Sequence, residues 1–178
     1  MTSTHLSLPN HTVHWHDHPP DGPDTVGTAD TPLGTIRLLA RGHTIRAFDL
    51  LERHNHLTPA PDNATTDDDL ATDILGHVFD DQPHTFHVAP QGTAFQKAVW
   101  HELLNIPHGS TATYADIARR LHRTPSAARA VGGAVGANPV AILIPCHRVI
   151  GSSNQLTGFG WGLERKETLL RAEGITLF

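Results

Sequence analysis

The sequence has a single cysteine in 178 residues, Cys146. An intramolecular disulfide is therefore excluded, as is a zinc site built from several thiolates, and a lone thiol points to a reducing compartment. No segment approaches the ~20 apolar residues of a membrane span. The N-terminus, MTSTHLSLPNHTVHWHDHPP, also lacks a basic region followed by an apolar stretch. A soluble, cytoplasmic protein is expected, nucleoid-associated if it binds DNA. Internal repeats and extended low-complexity tracts are missing too.

Positive charge is scarce in the first half. Residues 1–92 carry four basic against thirteen acidic side chains, a net of −9, whereas residues 93–178 carry nine against five, a net of +4. The overall −5 conceals this asymmetry, and a surface that meets nucleic acid belongs in the second half. The length suits one domain or two small ones. Turn formers collect in residues 80–92 (DDQPHTFHVAPQG), which predicts domains of residues 1–91 and 92–178.

What is present can be read along the chain. Residues 1–31 are rich in His, Pro, Thr and Asp without an apolar period and read as an irregular lead-in. His11, His14, His16 and His18 are close enough in sequence to converge on a divalent cation, but a solvated tract is the simpler reading, and no metal or cofactor is expected. Leu33 to Leu51 holds two β-prone runs parted by Arg41-Gly42-His43, a hairpin pattern, and a helix is predicted over Asp67 to Phe79.

In the second half, Thr93-Ala94-Phe95-Gln96 has capping-box spacing, and Phe95, Val99 and Leu103 recur on one helical face. Thr113 can cap a short helix containing Ile117, Ala118 and Leu121. Thr124-Pro125 starts another that runs to about Gly136, giving helix, turn, helix. That second helix is nearly all small residues around Arg129. Val140 to Ile144 has the length of a buried strand and delivers Pro145-Cys146-His147-Arg148 at its end, and a last helix spans Leu163 to Glu173.

A thiol attacks carbon only as thiolate, so Cys146 needs a base or a positive field. His147 and Arg148 are the nearest candidates, with His147 reaching the sulfur directly or through a bridging water. A histidine base is normally oriented by an acid. Glu102, Asp116, Glu164, Glu167 and Glu173 are all available, and spacing does not choose among them.

The run Asn138-Pro139-Val140-Ala141-Ile142-Leu143-Ile144-Pro145-Cys146-His147-Arg148-Val149-Ile150 closely resembles the active-site signature of the O6-alkylguanine-DNA alkyltransferase family. The resemblance extends through Gly92 to Gln96, Val99-Trp100, Ile106-Pro107, Thr113-Tyr114, Ala127 to Val131, Gly162-Leu163, Lys166, Leu169-Leu170 and Glu173-Gly174, covering nearly all of residues 92–174.

This resemblance implies an α/β N-terminal domain, a small antiparallel sheet with a helix and ribonuclease-H-like. It also implies a mainly α C-terminal domain with a winged-helix-like helix-turn-helix. The implied activity is single-turnover transfer of an alkyl group from O6-alkylguanine, or O4-alkylthymine, in duplex DNA to Cys146. His147 matches the water-linked base, Glu173 the acid that orients it, Asn138 the hinge, and Tyr114 the proton donor to the leaving base. Arg129 matches the finger that fills the stack from the minor groove after the base is flipped out.

Gln96, Ala115, Thr124 and Ser152 fall where the family contacts the DNA backbone, and Val149, Phe159, Gly160 and Trp161 where it lines the substrate pocket. A monomer is expected. The chain departs from the pattern at His122-Arg123-Thr124-Pro125, one residue longer than usual, at Asn154 where glycine is frequent, and at Phe159 where tyrosine is common. The rival readings, a non-catalytic sensor of alkylated DNA or a regulator, are associated with loss of the cysteine or with an extra cysteine-rich domain. A thiol hydrolase would need water to cleave a stable thioether.

Overall fold

The computed structural model describes residues 6–177, and the chain divides into two compact units, the first ending at Gln91 and the second beginning at Gly92. The first unit is built on a six-stranded sheet formed by β1 (Thr12–Trp15), β2 (Thr25–Thr31), β3 (Gly34–Arg41), β4 (Thr44–Leu50), β5 (Thr65–Thr66) and β6 (Thr85–Val88), in the order β1-β6-β4-β3-β2-β5. The predicted hairpin is β3–β4, turned at Gly42, whose φ of 59° lies in the left-handed region that glycine tolerates.

Helix α1 (Asp68–Phe79) starts where Asp67 accepts the Leu70 N–H, and it buries Ala71, Ile74, Leu75 and Val78. It packs on β2 at a point where only glycine fits: a Cβ on Gly27 would stand 2.0 Å from the Asp67 carbonyl oxygen.

Two expectations for this unit are corrected. The sheet is mixed, because β6 runs parallel to both β1 and β4 while β2, β3 and β4 form an antiparallel meander. Parallel neighbours need a crossover, and α1 provides it between β4 and β6. The supposed lead-in of residues 1–31 contains β1 and β2; its residues 1–5 lie outside the described residues. Composition concealed β1 because its partner is remote, Thr12 pairing with Thr85 and Trp15 with Val88, and it concealed β2, whose partner is the adjacent β3, because Thr, Gly and Asp interrupt its apolar alternation.

The second unit contains α2 (Ala94–Leu103), β7 (Ala112–Thr113), α3 (Tyr114–Arg120), α4 (Ala128–Gly136), β8 (Val149–Ile150) and α5 (Leu163–Ala172), with β7 and β8 paired in parallel. Helix α2 is capped by the reciprocal Thr93–Gln96 box and α3 by Thr113 and Asp116. Buried Trp100 donates its indole N–H to the Ala134 carbonyl at 2.7 Å, which fixes α2 against α4. The second helix of the pair begins with a single 3-10 turn, Pro125–Ala127, before α4 proper. Thr124 precedes that turn without capping it, because its hydroxyl is bonded to Ser126 at 2.6 Å. Among the described residues no helix is long and apolar enough to cross a membrane.

Candidate active site

The segment predicted as a buried strand over Val140 to Ile144 is instead a buried turn. The Ile144 N–H returns to the Val140 carbonyl at 3.0 Å, and Ile142 takes a φ of 78°. An apolar run without alternation is equally compatible with either structure. The turn forms because a side chain does the work of a neighbouring strand: Asn138 Nδ2 donates to the Ile144 carbonyl at 2.7 Å and Asn138 Oδ1 accepts the Val140 N–H at 3.0 Å. Asn138 thus joins the end of α4 to the cysteine-bearing segment.

Cys146, His147 and Arg148 then form a 3-10 turn leading into β8. Cys146 is only 6 % exposed and His147 is fully buried. Burial pushes the Cys146 thiol above its ordinary range, opposed by a hydrogen bond from Asn138 and the charge of Lys166. The thiol is therefore protonated at rest, and attack requires that the proton be taken away.

The group able to take it is defined by Glu173, which follows α5. Burial tends to raise the pKa of Glu173, but hydrogen bonds from His147 and Arg148 outweigh it and hold it at about 2. Its Oε1 accepts the His147 Nε2–H at 2.7 Å, Arg148 Nε and Nη2 donate to its two oxygens at 2.8–3.1 Å, and the Gly109 N–H reaches Oε2 at 3.2 Å.

An ionised carboxylate on Nε2 fixes the imidazole tautomer, leaving the lone pair on Nδ1. That nitrogen is buried, with no hydrogen-bond partner among the described residues. Burial also lowers the His147 pKa, against the pull of Glu173, so the ring is neutral near neutral pH and available as a base.

Two further groups belong to the site, Lys166, which has no role in the sequence reading, and Arg148, which has a different one there. Lys166, on the apolar face of α5 with Leu169 and Leu170, is buried and held down to about 8 by that burial, against the attraction of Cys146. Its Nζ donates to the carbonyls of Val149 at 2.5 Å and Thr157 at 2.6 Å. Arg148, considered as a source of positive field for the thiol, instead clamps Glu173 and donates to the Ile106 carbonyl at 2.8 Å. A lysine at a helix position that should be apolar was the readable signal for the first.

Tyr114 opens α3, and its hydroxyl donates to the same Thr157 carbonyl at 3.2 Å; burial raises its pKa, with the Cys146 charge adding to it, so the phenol keeps its proton. Val149 is buried in β8. Phe159 and Trp161 meet edge to face with centroids 6.3 Å apart, and Gly160 between them passes near the end of α4, where an added Cβ would stand 4.0 Å from the Gly136 carbonyl oxygen.

Arg129 is exposed in the first turn of α4 and makes no hydrogen bond or ion pair among the described residues, with exposed Ala130, Gly133 and Gly136 on the same helix. Thr124 and Ser152 are exposed and Ala115 is half-buried. Gln96 is committed to its capping box. The two departures in the loops have a backbone explanation: His122 (φ 56°) and Asn154 (φ 58°) both occupy the left-handed region.

Known proteins resemble this chain along most of its length. Residues 94–175 match the 6-O-methylguanine DNA methyltransferase DNA-binding domain family. The methylated-DNA–protein-cysteine methyltransferase of Mycobacterium tuberculosis is 42 % identical over 153 residues, 82 % of this chain and 90 % of the relative. That of Methanosarcina acetivorans is 39 % identical over 150 residues, covering 82 % and 95 %. The solved structure of Mycobacterium tuberculosis OGT in complex with DNA superposes with a TM-score of 0.72 at 38 % identity, covering 84 % of this chain and 93 % of that one. Similarity of this extent, running through both units and the cysteine-bearing turn, establishes that the chain belongs to the methylated-DNA–protein-cysteine methyltransferase family.

Proposed function

We propose that the chain is a direct-reversal DNA-repair enzyme that moves the alkyl group, methyl above all, from O6 of guanine in duplex DNA onto Cys146 Sγ, once per molecule. The observation that carries this reading is the buried series of Cys146, His147 and Glu173, in which His147 Nδ1 is the nitrogen with no protein partner. The thiol proton passes to Nδ1 through a bridging water, and the imidazolium so formed is stabilised by Glu173. The thiolate attacks the alkyl carbon as the carbon–O6 bond breaks. The departing guanine takes a proton from the Tyr114 hydroxyl, which sits beside the Lys166 ammonium on the Thr157 carbonyl.

Atoms balance without a cofactor, and the thioether formed is stable, so the protein is spent. O4-alkylthymine presents the same alkyl-oxygen chemistry and is a second substrate.

The base must leave the stack to reach Cys146. Arg129, exposed among small residues, suits insertion from the minor groove, where a surface of alanine and glycine approaches the sugars closely. Thr124, Ala115 and Ser152 serve the DNA backbone, with Gln96 doing so through the helix start that it caps. Asn138 positions the turn, and Val149, Phe159, Gly160 and Trp161 wall the pocket.

We read the first unit, with its β4–α1–β6 crossover, as the ribonuclease-H-like scaffold, and the second, with α3 and α4 beside the β7–β8 pair, as a winged-helix-like DNA-binding and transferase domain. The protein acts as a monomer in the cytoplasm. A sensor or regulator is not favoured, since the acceptor thiol and its base are both in place.

Intact-mass measurement after mixing with duplex DNA containing O6-methylguanine tests this reading. One methyl mass per molecule is expected, with none in Cys146→Ala. Gain of mass in that variant, or none in the native chain, overturns it.

A further inference from the structure

The first unit carries a second group of chemistry-bearing side chains, where the end of α1 meets the segment entering β6. We propose that His77, Asp80 and His84 form a zinc(II) site at the C-terminal end of α1. One ligand atom from each lies within 4.8 Å of the others, the one such group of histidine, cysteine or carboxylate residues found among the described residues. The His77 and His84 rings are 4.5 Å apart, and His84 Nε2 is 2.7 Å from Asp80 Oδ2. Zinc bonds of ~2.1 Å in a tetrahedron place ligand atoms about 3.4 Å apart, so small rotations of three partly exposed side chains suffice. Two imidazoles and one carboxylate suit a borderline cation rather than magnesium or calcium, and three protein ligands leave a position for water.

The site is held in advance. Asp80 donates its backbone N–H to the Gly76 carbonyl, and the Gln82 N–H holds its Oδ1 at 2.9 Å, so Oδ2 is the oxygen turned to His84. His11 straps the two segments together, accepting the His84 backbone N–H on Nδ1 at 3.1 Å and donating Nε2–H to the Val78 carbonyl at 2.9 Å. It is a tie rather than a ligand. The last carbonyls of a 12-residue helix lend the place negative potential, and Asp73 Oδ1, 3.7 Å from His77 Nδ1, adds to it. A bound cation would clip the end of α1 to the start of β6 and stabilise the first unit by mass action. This site is independent of the repair reading.

The test is calorimetric titration of the full chain with zinc chloride, with magnesium chloride as control and cobalt(II) as a spectroscopic probe. One zinc equivalent, no magnesium uptake, and a higher Tm when zinc exceeds its Kd by ~100-fold are expected. His77→Ala and His84→Ala should each weaken binding by more than the ~10–100-fold typical of losing an outer-shell partner. His14→Ala, on β1, and His16→Ala, just past its end, both beside His87 of β6, should leave it unchanged. No saturable uptake, undiminished affinity in the His77 and His84 variants, or a cobalt–thiolate charge-transfer band assigning the ion to Cys146 would each overturn the proposal.

Discussion

Each unit buries a carboxylate beneath arginine, and the two are put to different uses. Asp24 takes Arg41 Nε at 3.0 Å and Arg46 Nη1 at 2.5 Å, with no imidazole or thiol in series with it. Glu173 takes Arg148 in much the same way but gives one oxygen to His147, whose other nitrogen is uncommitted. An ion pair that closes on itself holds a fold together. The same pair with a histidine attached also sets the protonation state of a neighbour. The difference extends to the cations: Arg37, Arg41 and Arg46 are spent on Asp49 and Asp24, whereas Arg129 faces solvent with no ion pair among the described residues.

The largest expected effect breaks the comparison at its centre. Glu173→Gln should slow transfer by about 10²–10⁴-fold, the usual contribution of a positioned base. Asp24→Ala should cost about 3–5 kcal/mol of stability yet leave the transfer rate of folded protein unaltered. Single-turnover kinetics beside urea unfolding separates the two, and equal rates for Glu173→Gln and the native chain would erase the distinction.

On the pocket side, Trp161→Gly should raise the rate of benzyl relative to methyl transfer by roughly 10–200-fold, the range for pocket volume changes. Competition between the two lesions reads this, and an unchanged ratio would remove Trp161 from the pocket wall. Arg129→Ala should slow transfer from duplex DNA by at least ~10-fold, about 1.4 kcal/mol, while sparing transfer from the free alkylated base. Equal loss on both substrates would mean that Arg129 serves the chemistry rather than the DNA.

Acid sharpens the contrast further. Glu173 is held at about 2 against an ordinary 4.5, so its contribution to stability is full above about 4.5 and lost as pH falls towards about 2. The difference in unfolding midpoint between the native chain and Glu173→Gln should shrink across that window, and a constant difference would refute the ion pair. The smallest effect expected is at His122, where glycine would relieve a left-handed backbone and raise stability by about 1 kcal/mol in urea unfolding.

Features signalled by neighbouring residues were legible in the sequence. The Thr93–Gln96 box, the start of α1 at Asp67 and the turn at Gly42 all fall where local chemistry put them. Features made by distant partners were not. Strand β1 depends on β6, more than seventy residues away, and the turn at Val140 to Ile144 depends on an asparagine side chain taking over backbone hydrogen bonds.

The site divides the same way. Cys146 and His147 stood out as an adjacent pair, but five acids competed for the third place, and family resemblance rather than spacing singled out Glu173. Fifteen histidines dilute the signal of His77 and His84, and in sequence the closer spacing of His11, His14, His16 and His18 outranks them.

Ile142 carries one more consequence. A β-branched residue with a φ of 78° and 4 % exposure stores on the order of 1–3 kcal/mol of torsional energy, tolerated because surrounding groups leave the turn no other course. That expense falls in folding, long before a lesion arrives. The seat of the sulfur is therefore preset rather than moulded by its guest, and on the proposed base-flipping reading whatever free energy an encounter with damaged DNA releases remains available for prising the base from its stack.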